Sequence, residues 1–187
     1  MNAIIYTHPS VLEPLSESPV RDLVRSLLVE LAPEPNLTVT LGLDTPVGFP
    51  GLAGILGGQA VLDDLKIDHP SLPAPIVLGP GKRLSPHLLS AAVARLDESD
   101  LRADVTLLIH LDDAAALGRA LARADRVALV VDTADRPGES LPELADFLVG
   151  EEKTANWDGL FLYTGSGRPA QPEVSESLKS LFAKVSV

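Results

Sequence analysis

The sequence predicts an α/β protein with a mostly parallel sheet and helices on both faces. Three observations predict it. Short apolar runs alternate with segments of helical periodicity, which implies right-handed βαβ crossovers. Two of those runs, VTLLI at 105–109 and VALVV at 127–131, are apolar throughout, as strands covered on both faces are. The chain has 187 residues, 45% of them hydrophobic, which suits a single domain with a sizeable core.

The first strand is read at 3–6, closed by Thr7-His8-Pro9. A helix is expected over 19–31. Ser18 fits its N-cap, Pro19 its first position and Asp22 its first turn. Val20, Leu23, Val24, Leu27, Leu28 and Leu31 recur at spacings of three and four, which places them on one buried face. Pro33 and Pro35 stop it. The second strand is expected over 37–43, where Thr38, Val39 and Thr40 favour extended backbone, and Asp44-Thr45-Pro46 ends it.

Residues 46–60 are rich in Gly and Pro, with Leu52, Ile55 and Leu56 spaced as one helical turn. A short helix is expected over 60–65. Ile76-Val77-Leu78 is a brief strand turned by Gly79-Pro80-Gly81. Ser85 and Pro86 open a helix to about 96, again as N-cap and first helical residue. The strand at 105–109 leads to a helix over 113–123. The strand at 127–131 leads to one from Ser140 to about 149. The last strand, 160–163, precedes a terminal helix. With no internal repeat or interdomain linker, 1–187 reads as one α/β domain whose segment 173–187 is a terminal amphipathic helix.

Composition narrows the function classes. The absence of cysteine excludes a disulfide framework, a Cys-based zinc site, an iron–sulfur cluster and a thiol nucleophile. Against 15 Lys+Arg stand 26 Asp+Glu, a net charge of −11, which opposes nucleic-acid binding because that needs a basic surface to displace counterions. No apolar run reaches the roughly 20 residues of a membrane span. The opening MNAIIYTHPS has neither the basic start nor the apolar stretch of a signal peptide, so a cytoplasmic location is expected.

In such a sheet, ligands sit outside the carboxyl ends of the strands. The loops to inspect are 7–19, 44–60, 110–113, 132–139 and 164–172. The first, HPSVLEPLSESP after Thr7, has no Gly to let backbone amides curl around a phosphate and no Lys to hold one. Glu13 and Glu17 would repel it, and Pro9, Pro14 and Pro19 remove donors. Gly79-Pro80-Gly81-Lys82 lacks the first glycine of a phosphate loop, whose place is held by Ile76, and reads as a turn with a basic tip. No G-x-G-x-x-G or G-x-S-x-G occurs.

His8, His69, His87 and His110 include no pair at metal-ligand spacing. His110 ends the strongest strand just before Asp112 and Asp113. That suits a catalytic group of a small-molecule enzyme acting with Asp112 or Asp44, but a half-buried histidine bonded to backbone, or an ordinary loop residue, is the favoured reading. Asp63-Asp64 and Asp112-Asp113 could ligate a hard cation, but a solvated helix face for the first pair and a helix start for the second explain them more simply. No catalytic, cofactor-binding or metal residue is assigned.

The order of segments resembles the ParA/MinD superfamily of deviant Walker ATPases, which includes the CpaE/TadZ-type localisation proteins. TVTLGLDTPVGFPGLAGILGG is similar to the family's second strand and acidic switch segment. QAVLDDL, LPAPIVLGPGKRLSPHLLSAAVARL and ALARADRVALVVDTADRPGESLPELADFL resemble its succeeding framework segments. ADVTLLIHLDD sits where the family has its Walker B strand, and WDGLFLYTGSG where it has its last strand. The resemblance spans most of the chain and implies a Rossmann-like, ParA/MinD-type three-layer sandwich.

The family's functional residues are the part that is missing. Its KGGVGKTT would fall in the loop before Val20, the Walker B aspartate at His110 and the adenine-contacting asparagine near Tyr163. Only Asp44 could match a family carboxylate. The resemblance therefore implies a degenerate member without the P-loop, with no cofactor, that neither binds nor hydrolyses ATP. It would act as a scaffold or adaptor through protein contacts. Its partner would be a second copy, a true ParA/MinD-like ATPase or the machine that ATPase positions.

The expected contact surface is the former nucleotide face, residues 8–19, 44–58 and 133–139, with Val47, Phe49, Leu52 and Ile55 as candidate partner residues. The tail offers a second candidate surface for a membrane or partner. Leu178, Leu181, Phe182 and Val185 make an apolar stripe flanked by Lys179 and Lys184. Glu173 and Glu176 cancel the two lysines, which favours a helix packed on the sheet over a membrane anchor. The other expectations are the small-molecule enzyme and a peripheral membrane positioning factor.

Overall fold

Six apolar segments pair edge to edge in the computed structural model, which describes residues 1–6, 15–16, 20–31, 37, 41–42, 51–78, 86–98, 100, 102–110, 123–132 and 157–163. They are β1 (Asn2–Tyr6), β2 (Leu27–Leu31), β3 (Ile76–Val77), β4 (Val105–His110), β5 (Arg126–Asp132) and β6 (Trp157–Tyr163). They form one sheet in the order β3-β2-β4-β1-β5-β6, and every neighbouring pair is parallel. β1 lies between β4 and β5, with Tyr6 opposite both His110 and Val130.

Strand side chains alternate between two faces, and each face has its own apolar cluster. One cluster joins Ala3, Ile5, Val29, Leu107 and Leu129 to Leu52 of helix α1 (Gly51–Leu56) and to Ala92, Val93 and Leu96 of helix α2 (Pro86–Asp97). The other joins Ile4, Tyr6, Leu28, Leu108 and Val130 to Leu15, Val20, Leu23 and Leu37. Helical segments thus cover both faces of the sheet, which is why β4 and β5 are apolar over most of their length. The strands expected at 3–6, 76–78, 105–109, 127–131 and 160–163 and the helix opened by Pro86 all stand in the structure.

Two expectations are corrected. Residues 19–31 form no long helix: a 3-10 turn, Val20–Leu23, is followed by β2. The turn stops because its backbone groups are taken from outside. The Leu23 carbonyl accepts from Asn2 Nδ2 at 2.8 Å and from Thr106 Oγ1 at 2.9 Å, where a helix would need it for Leu27. The Arg25 amide donates to Thr106 Oγ1 at 2.9 Å instead of to Arg21. Leu27, Leu28 and Leu31 are buried as expected, but on the two faces of a strand rather than one face of a helix.

The second correction concerns 37–43, expected as the second strand. Leu37 is helical, the Leu41 amide donates to the Leu37 carbonyl at 2.8 Å, and Gly42 closes the turn at φ +62°. That left-handed backbone is where glycine has no Cβ penalty. The second strand lies earlier, in LLVEL. The short helix expected over 60–65 is a 3-10 turn, Leu62–Leu65. Of the helix expected over 113–123, only Arg123 is described, and it is helical. The helices expected from Ser140 and over 173–185 lie outside the described residues. No described helix is long and apolar enough to cross a membrane.

Candidate functional site

Parallel strands deliver their last residues to one end of the sheet, and here three central strands bring polar groups there. Tyr6 ends β1, His110 ends β4 and Glu30 is the last but one residue of β2. Tyr6 stands opposite His110, and Glu30 opposite Leu108, so all three side chains share one face. The Tyr6 ring meets the His110 ring edge-on, with centroids 5.4 Å apart and planes at 84°. Tyr6 and Glu30 are fully buried, while His110 is half-buried.

Among the described residues the Tyr6 hydroxyl has no hydrogen-bond partner. Burial pushes its pKa far above the usual phenol range, and the negative charge of Glu30 pushes it further, so the hydroxyl stays protonated. Glu30 Oε1 accepts from the Leu37 amide at 3.0 Å, which ties the end of β2 to the helical turn that follows. A protonated hydroxyl at this strand end can donate a hydrogen bond to a polar group.

The amino end of the sheet is ionic. Arg102 donates through Nε to Asp97 at 2.8 Å and through its terminal nitrogens to Asp125 at 2.7 and 3.2 Å. Arg123 also bonds Asp97, and the Met1 amine bonds Asp125. Hydrogen bonding from Arg102 holds the Asp97 carboxyl below the usual range. Burial pushes Asp125 upward, but bonds from the Met1 amine and Arg102 outweigh it and leave that carboxyl low as well. The Arg102 guanidinium is correspondingly shifted up by Asp125 and Asp97.

His110 is at the strand end, as its position predicted; Asp44, Asp112 and Asp113 lie outside the described residues. So do Val47 and Phe49, the tail residues Leu178, Leu181, Phe182 and Val185, and His8. Leu52 packs in the core at 1% exposure, and Ile55 is half-buried against the same core. Asp63 and Asp64 are exposed, and Asp63 pairs with Lys66 at 2.6 Å. His69 Nδ1 accepts from the Ser71 amide at 3.2 Å, in a proline-rich loop. Among the described residues no group of His, Asp and Glu is arranged to hold a metal ion.

Tyr6 and Glu30 were not singled out from the sequence. The signal for Glu30 was present. Read as a strand, LLVEL puts Glu30 on the same buried face as Leu28, whereas a helical reading takes it off the apolar stripe.

No family profile and no curated protein sequence matches the chain. Solved structures do match in shape. The kinase domain of VpsO superposes with a TM-score of 0.62 at 18% identity, covering 87% of this chain and 84% of that one. The cell division ATPase MinD of Pyrococcus furiosus gives 0.59 at 19% identity, over 97% and 80%. A plasmid partition protein of Borrelia burgdorferi gives 0.53 at 14% identity, over 100% and 85%. At these identities the likeness is one of architecture. The chain has the Rossmann-like three-layer fold of the ParA/MinD-type ATPases.

Proposed function

We propose that this chain is a non-catalytic ParA/MinD-like protein that works as a scaffold or adaptor, through contacts with partner proteins. The observation that supports it is the first crossover. Residues 7–26 join β1 to β2, and they contain no glycine and no lysine. The described part of that crossover is short turns around Leu15 and over Val20–Leu23, with no α-helix. A phosphate cradle needs amides free to converge at a helix N-terminus and a cation to complete it. What remains of such a protein is a framework, and its use lies in what it contacts.

Isothermal titration of the full chain with ATP and magnesium tests the reading. No heat of binding is expected, and micromolar affinity would overturn it. Affinity capture with the full chain is expected to recover a ParA/MinD-like ATPase or a component of the machine such an ATPase positions.

A further inference from the structure

We infer that the loop leading into β3 seats an arginine side chain of a partner protein, with Asp68 as the acceptor for its guanidinium. The starting observation is a cavity of about 340 Å³ lined by Asp68, His69, Leu72, Pro70, Pro73 and Pro75. That volume lies at the lower end of the range for ligand sites, about 300–1,000 Å³, and suits one long side chain. The loop enters β3 at the amino end of the sheet, opposite to the end where Tyr6 and His110 stand. The site is therefore separate from the former nucleotide face.

The chain builds this cavity to hold its shape. Residues 68–75 leave and return through one narrow neck, where Ile67 and Ile76 exchange both backbone hydrogen bonds, at 2.8 and 2.9 Å. Inside the neck the Leu72 amide donates to the His69 carbonyl at 3.0 Å, and the Ser71 amide donates to His69 Nδ1 at 3.2 Å. Pro70, Pro73 and Pro75 fix φ at their positions, so the loop has little freedom to lose on binding. Leu72 and Ala74 pack against the apolar cluster of one sheet face, which ties the loop to the core.

The lining sets the chemistry of the occupant. Asp68 is exposed and has no hydrogen-bond or ion-pair partner among the described residues. A carboxylate beside proline and leucine walls calls for a cation on an apolar stem. A guanidinium fits better than an ammonium, because it is planar, weakly hydrated and able to pair with a carboxylate through two parallel bonds. His69 Nδ1 accepts the Ser71 amide, so the neutral ring carries its proton on Nε2 and offers a donor there. A backbone carbonyl next to the arginine supplies the acceptor, which a free amine lacks. Charge favours the same partner. Asp63 and Asp64 are exposed in the 3-10 turn just before the loop, Lys66 offsets only Asp63, and the chain as a whole carries −11.

This inference rests on the proposed function only in taking a protein as the source of the arginine. The nitrogen-labelled full chain is titrated with the capped tripeptide Ala-Arg-Ala at neutral pH and constant ionic strength. Its citrulline counterpart, which keeps the shape and loses the charge, and its lysine counterpart are titrated alongside. The arginine peptide is expected to shift the Ser71, Leu72 and Ala74 amide signals in a saturable way, with citrulline at least tenfold weaker and lysine several-fold weaker. Asp68→Asn, at an exposed position, is expected to weaken the arginine response at least tenfold, and His69→Gln several-fold, while unshifted Ile67 and Ile76 amide signals show that the neck stands in both variants. A response that does not saturate, that is equal for lysine or citrulline, or that is unchanged in Asp68→Asn would overturn the inference. Free arginine binding as tightly as the peptide would overturn a partner protein as the occupant. Binding of magnesium-ATP in a parallel titration, with the Asp68-dependent peptide response intact, would overturn the non-catalytic reading alone.

Discussion

Thr106 holds Leu23 in place across the sheet: its Oγ1 donates to the Leu23 carbonyl at 2.9 Å while accepting the Arg25 amide at 2.9 Å. One hydroxyl thus ends the 3-10 turn and releases the chain into β2. Thr106→Val keeps the shape and removes both bonds. A loss of about 1–3 kcal/mol is expected, because two hydrogen bonds, one of them buried, are removed at once. Urea unfolding should show a lower midpoint at an unchanged slope. Asn2 also bonds the Leu23 carbonyl. Asn2→Ala combined with Thr106→Val should therefore lose more than the sum of the two single changes, since only the pair orphans that oxygen.

Glu30 anchors the turn after β2 through the Leu37 amide. Glu30→Gln retains a side-chain acceptor and should leave that bond largely intact. Glu30→Leu removes it and is expected to cost about 1–3 kcal/mol. Hydrogen exchange at the Leu37 amide separates the two: it should quicken in Glu30→Leu and stay near wild type in Glu30→Gln.

Acid should weaken the amino end of the sheet in a defined window. Asp97 and Asp125 are held below the usual carboxylate range by their bonds to Arg102 and its neighbours. Groups with lowered folded-state pKa values contribute fully above their unfolded value, about pH 4, and lose that contribution as pH falls through the folded one. Arg102→Met brings both pKa values back toward normal. Wild type should exceed the variant in stability at about pH 6, and the gap should close as pH drops below about 3. Urea midpoints across that range measure it.

Leu52 tests whether α1 serves packing or contact. Its side chain is 1% exposed and its cluster includes residues of β1, β2 and α2. Leu52→Ala should cost about 2–5 kcal/mol through the cavity it leaves. Ile55→Ala, at a half-buried position, should cost less. Thermal or chemical unfolding distinguishes them.

The continuous apolar runs made β4 and β5 legible because a strand buried on both faces has no polar alternate positions to hide it. Pro86 made α2 legible because it is suited only to the first turn of a helix. The region from 19 to 43 misled, and for a physical reason. The spacing of Val20, Leu23, Leu27, Leu28 and Leu31 satisfies a helix, and a run such as LLVEL satisfies a buried strand; what decides is Thr106, more than seventy positions along the chain. TVTLGL has strand propensity, yet Leu37 and Leu41 close a helical turn that Gly42 terminates. Of the polar face, His110 was visible from its place at a strand end. Tyr6 was hidden because nothing in a sequence says that a hydroxyl will lack a partner.

The short strand β3 has a consequence for how the molecule meets its own copies. A sheet edge is a row of unspent amides and carbonyls, and such rows recruit strands from other chains. On β3 the outward groups are already engaged. The Ile76 amide and carbonyl both pair with Ile67, at 2.9 and 2.8 Å, in an antiparallel bridge. The next outward carbonyl, that of Leu78, accepts the Leu52 amide at 3.1 Å. Ile67 and the first turn of α1 therefore act as a selvedge on that side of the sheet, and a strand arriving from solvent finds no template there to extend.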